Sequence, residues 1–241
     1  MWKKIISLLL TVLLFGCFLF ARIISKEKED LCKGVMIEIA DSSHIQLLAN
    51  SDILNMLANA KLNPKEKSME KIDTEAMEKH INKSQFVARV ECYKTIGNAI
   101  RIKVYQRKPF FRVFSPDGSY YVDINRQPMP TSSRFAPYVP VVSGNVKEEF
   151  AGSELFDFVT FIQNSSFWSA QIEQIYVESG NEIVLIPKVG DHEILLGTLE
   201  NYQTKLENLQ LLYKEIFNKV GWEKYKRINL KFDNQIVCTK R

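Results

Sequence analysis

The residues of this chain that could do chemistry are few and scattered. Three histidines occur, His44, His80 and His192, and no H-E-x-x-H zinc motif is among them. His80 reads as a surface residue beside Lys79 at a polar helix end, and His192 lies by a turn between Asp191 and Glu193. No G-x-S-x-G nucleophile elbow, G-x-x-x-x-G-K-[ST] phosphate loop or G-x-G-x-x-G is present. Asp117 and Asp123 could place two carboxylates across a hairpin, as general acid–base work requires. The turn sequence Ser115–Pro116–Asp117–Gly118 already accounts for Asp117. The cysteines are Cys17, Cys32, Cys92 and Cys238, with no C-x-x-C. Cys92 alternates in phase with apolar residues of a strand and reads as a buried thiol. The aromatic run Phe110, Phe111, Phe114, Tyr120 and Tyr121 could line a ligand groove, but cross-strand packing explains it more simply. The expectation is recognition, without catalytic residues, metal or cofactor.

The composition is that of a folded protein of one large or two small domains: 241 residues, 46% hydrophobic and 25% charged. A formal net charge of +4 is spread without the basic, aromatic-rich tract of a nucleic-acid surface. The N-terminus departs from that average. Between Lys4 and Arg22 no charge interrupts "IISLLLTVLLFGCFLFA". With Ile23 and Ile24 the run reaches the roughly 20 residues that cross a bilayer as a helix. An uncleaved anchor over 5–24 is the favoured reading. A cleaved signal peptide would need small residues where Phe18, Leu19 and Phe20 stand. A lipoprotein modified at Cys17 would need a small residue in place of Phe15. Lysines and arginines on both sides of the run leave orientation undecided by charge. The length of chain that follows favours residues 1–4 inside and the body outside.

The remaining elements follow from periodicity. After a charged linker, 25–33, "VMIEIA" alternates as a strand. Ser51 is placed to cap a helix carrying Ile53, Leu54, Leu57 and Ala58. Asp73 is placed to cap a second, with Ile72 and Met77 at staple spacing. Two alternating strands joined at Ile96–Gly97–Asn98 complete a β-α-α-β-β unit over 34–108. A second unit, 109–241, is expected to be a mixed, mostly antiparallel sheet with packed helices. Its longest helix is expected to be capped by Thr198 and carry Leu199, Tyr202, Leu206, Leu209, Tyr213, Ile216 and Val220 on one face.

The chain closes on a hairpin, "KRINLKFDNQIVCTKR". With Asp233–Asn234 as a type I′ turn, Lys231 stands opposite Ile236, Leu230 opposite Val237 and Asn229 opposite Cys238. Ile228, Leu230, Phe232 and Val237 then face the core, while Ile236 faces out beside Lys231. A last strand lies at a sheet edge with main-chain groups unpaired, a template on which a partner strand can add. The candidate partner-binding residues are Arg227, Lys231, Gln235, Ile236, Val237, Cys238, Thr239 and Lys240.

A β-α-α-β-β unit behind one membrane span resembles a POTRA domain. "PVVSGN", "EIVLIPKVGDHEILLG", the long helix and "INLKFDNQIV" resemble the extracytoplasmic region of the bacterial division family FtsQ/DivIB. Asn229–Leu230–Lys231–Phe232 occupies the place of that family's Asp-Leu-Arg-Tyr, with Asn for Asp. The resemblance implies a non-enzymatic scaffold of the division machinery, held in the inner membrane at the septum with its N-terminus in the cytoplasm. Its implied partners are FtsB/DivIC-like and FtsL-like single-span proteins, linking it to septal peptidoglycan synthesis. A POTRA-type module for protein transport or outer-membrane assembly is the alternative, and an envelope hydrolase a more distant one.

Overall fold

The computed structural model describes residues 2–25, 30–40, 46–232 and 235–241. His44 and the turn at Asp233–Asn234 lie outside the described residues. The chain divides into two compact units, the first ending at Gln106 and the second starting at Arg107, with Gln46 and Leu47 grouped with the second.

Helix α1 runs Trp2–Ser25, and its described side chains, chiefly residues 11–20, are all exposed. Among the described residues no helix is long and apolar enough to cross a membrane.

The first unit contains β1 (Gly34–Ala40), α2 (Asn50–Asn59), α3 (Thr74–Ile81), β2 (Val87–Lys94) and β3 (Ala99–Gln106). The strand order is β1-β3-β2, with β1 parallel and β2 antiparallel to β3. Ile53 and Leu57 of α2 and Met77 and Ile81 of α3 are buried in one cluster with Val90, Cys92, Ile100, Ile102 and Val104. Asp73 caps α3, its carboxylate accepting the Ala76 N–H at 2.9 Å. At α2 the cap position is Ala49 rather than Ser51. Asp52 compensates by accepting the Ala49 N–H at 2.8 Å, so the helix starts two residues earlier than the Ser51 hydroxyl would set it. On the far face of the sheet Glu91, Lys103 and Glu38 stand in register, with Lys103 Nζ 3.7 Å from Glu38.

The second unit is a nine-stranded mixed sheet. Its strands are β4 (Pro109–Ser115), β5 (Gly118–Asp123), β6 (Pro128–Pro130), β7 (Val141–Gly144), β8 (Ile172–Val177), β9 (Ile183–Pro187), β10 (Glu193–Gly197), β11 (Tyr225–Asn229) and β12 (Val237–Lys240). Their order is β12-β11-β10-β9-β8-β7-β4-β5-β6. Pairings β4–β7, β7–β8 and β10–β11 are parallel and the other five antiparallel. Helices α4 (Glu148–Gly152), α5 (Glu154–Asn164), α6 (Ser166–Gln171) and α7 (Tyr202–Leu212) contribute the other half of the core, including Leu155, Phe158, Val159, Leu206 and Leu209.

Helix α7 departs from expectation at both ends. It begins at Tyr202, and its cap position is Asn201, in a left-handed conformation, not Thr198. It continues through a π-helical turn, Tyr213–Phe217, before a last turn, Asn218–Val220. A π turn holds more residues than an α turn, which keeps Phe217 beneath Tyr213, ring centres 5.1 Å apart, and rotates Ile216 away from that face. Phe217 is 1% exposed, whereas Ile216 and Val220 are 40% and 39% exposed and leave the expected stripe.

Candidate partner-binding edge

Strand β12 ends the nine-stranded sheet, and beyond it no strand pairs among the described residues. Its register differs by one residue from the expected hairpin: Asn229 pairs Val237 and Ile228 pairs Cys238. The cause lies in Asn229. Its Oδ1 accepts the Lys231 N–H at 2.9 Å, an Asx turn that bends the chain out of the strand three residues earlier than a tight turn at 233–234 would. Leu230 still donates its N–H to Leu195 O at 2.9 Å, which holds the exit against β10. Strand β11 thus ends at Asn229, and β12 begins at Val237.

A one-residue slip exchanges the two faces of a strand. Ile236, expected to face out, packs with Cys238 against the core cluster, as Leu230 does. Val237, expected inside, is 42% exposed and Phe232 is 49% exposed. Gln235, Thr239 and Lys240 are exposed. Two cations of the predicted set are already engaged on this face. Arg227 donates to Glu193 Oε2 from Nη2 at 2.8 Å, and Lys231 forms an ion pair with Glu182. The stem of Lys231 lies over Gly197, where an added Cβ would meet its Cγ at 2.9 Å. Acidic groups of a partner would therefore exchange with Glu193 or Glu182 instead of meeting bare charges. Beside the edge, Asn201, Thr204, Lys205 and Asn208 face Leu230, Phe232, Gln235 and Ile236 across a groove of about 310 Å³.

The candidate chemical groups are not brought together. Asp123 is buried, accepting from Arg107 Nε at 2.7 Å and from the N–H groups of Asn125 and Gln127 at 2.9 Å each. Asp117 is exposed at its turn. His80 is half-buried in the last turn of α3. Cys92 is buried, and its thiol is pushed up to about 12, by burial first and Glu78 second. The four cysteines are free thiols. Among the described residues no group of three His, Cys, Asp or Glu could hold a metal. In the aromatic run, Phe111 and Tyr120 join the core, while Phe114 is exposed beneath the Arg112 guanidinium, 4.3 Å from its ring centre.

Gly144, the glycine of "PVVSGN", has φ +102 and lies so close to β8 that an added Cβ would stand 2.2 Å from Val177 O. Backbone contact of that kind admits only glycine. The profile of the family described as "FtsQ/DivIB, C-terminal related" matches residues 108–239, more than half of the chain. The chain belongs to the FtsQ/DivIB family. A POTRA-like domain profile matches residues 30–105, the first unit. The cell division protein FtsQ of Geotalea daltonii is 24% identical over 171 residues, which cover 66% of this chain. The match spans 61% of that relative's length. Within this FtsQ/DivIB chain, the residue that sequence reasoning missed is His192. It is 3% exposed, and its Nε2 lies 2.8 Å from the Tyr213 hydroxyl. The signal was available: His192 alternates with Ile194 and Leu196, both fully buried.

Proposed function

We propose that this chain is a non-enzymatic scaffold of bacterial cell division that captures an FtsB/DivIC-like partner by strand addition to β12. The carrying observation is an edge strand with an outward apolar residue, Val237, next to a groove floored by Ile236 and Leu230. An added strand satisfies main-chain groups along β12, and side chains at alternate positions reach Val237 or the groove. Membership of the FtsQ/DivIB family supports the same reading. Arg227, Lys231, Gln235, Ile236, Val237, Cys238, Thr239 and Lys240 form the contact region. An FtsL-like protein joins through that partner and ties the complex to septal peptidoglycan synthesis.

The scaffold acts from the inner membrane at the septum. Residues 1–4 form a cytoplasmic tail, 5–24 cross the membrane and 25–33 link to a domain over 34–108, followed by a second over 109–241. The uncharged stretch from Ile5 to Ala21 supports this, together with its helical conformation. Depleting the protein in its own host and imaging the cells tests the role. Filaments without septa are expected. Normal septation with a defect in protein export or outer-membrane assembly would overturn it in favour of a transport module.

A further inference from the structure

We propose that one end of the POTRA-like unit, built from the β2–β3 hairpin tip and the 61–67 loop, binds the surface of an anionic phospholipid bilayer. This rests on the membrane-anchored reading above.

Residues 30–33 are the first described after α1, and hydrogen bonds tie them to both loops. The Cys32 N–H donates to Lys67 O at 2.8 Å, and the Glu66 N–H to Cys32 O at 3.1 Å. The Lys33 N–H donates to Asn98 O at 2.7 Å, and Asn98 Nδ2 to Asp30 Oδ1 at 2.9 Å. Both loops are thereby fixed where the chain arrives from α1. Five residue steps separate Ser25 from Asp30, at most about 18 Å when fully extended. When α1 spans a bilayer, that tether keeps both loops close to a headgroup layer about 6 Å deep.

The residues at this end suit such a layer. Ile96 occupies the tip of a closed turn, in which the Thr95 N–H donates to Ala99 O at 2.8 Å, and it is 106% exposed. A single exposed Ile would need no explanation. Here it stands among exposed lysines: Lys33, Lys61, Lys65, Lys67 and Lys94. The carboxylates on the same segments are Asp30, which Asn98 engages, and Glu66. Five cations against two anions leave an excess of three positive charges. An apolar tip beside loops rich in lysine is the chemistry of interfacial attachment to anionic lipid. The far face of the same sheet carries Arg89, Arg101 and Lys103 against Glu38 and Glu91, an excess of one.

The test uses the full chain in nanodiscs of phosphatidylglycerol or of phosphatidylcholine. An environment-sensitive fluorophore is placed at Ile96→Cys, with Cys17→Ser and Cys238→Ala to remove the accessible thiols. Lys83→Cys carries the control label, beyond the opposite end of β2 and about 27 Å away along eight residues of strand. The expected result is blue-shifted emission at 96 in phosphatidylglycerol, quenched by lipids spin-labelled near the headgroup, with water-like emission at 83. Lys65→Glu, Lys67→Glu and Lys94→Glu together should abolish the shift. Water-like emission at 96 in both lipids overturns the proposal, as does shielding that needs an added division protein. If alkaline carbonate strips the chain from membranes, the anchored reading falls and this proposal with it. If the chain stays in the membrane and position 96 reports water, the proposal alone falls.

Discussion

His192 Nε2 lies 2.8 Å from the Tyr213 hydroxyl, inside a cage of Tyr213, Phe217 and Trp222 rings. The ring's other nitrogen, Nδ1, has no hydrogen-bond partner. It faces Gly190, where an added Cβ would stand 2.8 Å away. The charged groups facing this cluster are Asp191 and Arg241, joined at 2.9 Å, with Glu223 3.8 Å from Arg241. The His192 pKa is lowered, by burial first and by Arg241 second, while Asp191 opposes.

A depressed histidine makes stability depend on acid. Below about 6.5, the unfolded chain takes up a proton that the folded interior refuses. Stability is therefore full above that pH, declines as pH falls through it, and stops declining once the folded pKa is passed. Melting temperature measured from pH 8 to pH 5 should show this decline. His192→Gln, neutral at every pH and able to bond Tyr213, should flatten it. An unchanged slope in the variant would assign the acid sensitivity to other groups.

Asp123 and Arg107 form an ion pair whose side chains are 2% and 14% exposed. Asp123→Asn would turn an amide N–H towards the Arg107 Nε–H and leave a largely buried cation without its anion. Breaking a buried pair on one side costs about 3–5 kcal/mol. Urea unfolding should register that loss. The double variant Arg107→Met/Asp123→Asn should recover part of it, because the carboxamide oxygen can still accept from Asn125 and Gln127. A double variant worse than the single would show that Arg107 stabilises chiefly through its bonds to Gln127 O and Pro128 O, at 2.9 and 3.0 Å.

Gly144 and Gly118 both have positive φ, +102 and +138, but differ in surroundings. A Cβ at 118 meets nothing within 4 Å, whereas at 144 it meets Val177 O at 2.2 Å. Gly118→Ala should cost only backbone strain, roughly 1–3 kcal/mol. Gly144→Ala should cost more, since β7 and β8 would have to separate at their parallel pairing. Denaturation midpoints of the two variants measure the difference. Equal losses would mean that the strands yield without penalty.

Much of this architecture was legible in the sequence, and the exceptions have local causes. The β-α-α-β-β order was readable because each element keeps one period and Asp73 caps where expected. The start of α2 was misjudged because Asp52 satisfies the first turn from within the helix and needs no hydroxyl at position 51. The end of α7 was misjudged because a π turn changes the period, which a fixed step of three or four residues cannot anticipate. Glycines such as Gly144 were visible as letters, but the carbonyl they admit belongs to a strand some 30 residues away in sequence. The closing hairpin shows the same limit most sharply. Asp233–Asn234 is a sound turn pair, yet the side-chain oxygen of Asn229 competes for the bend and moves the register by one.

That one-residue difference decides which variant tests the partner-binding edge. Ile236 packs on the core, so Ile236→Glu would place a carboxylate against Leu230 and Cys238, an energetic cost on folding as well as on binding. Val237 is 42% exposed on the other face, paired with Asn229. Val237→Glu should leave the melting temperature within the small change of a surface substitution, about 0.5 kcal/mol, because neither face of the core loses a contact. It should weaken capture of an FtsB/DivIC-like partner, since an added strand would set a side chain beside position 237. Thermal melts and a pull-down of co-expressed full-length proteins read the two effects separately. The expected pattern is loss of stability with Ile236→Glu and loss of binding alone with Val237→Glu. The reverse pattern, with Val237→Glu unfolding the unit, would restore the register of a tight turn. Normal binding by a stable Val237→Glu variant would move the docking site away from β12.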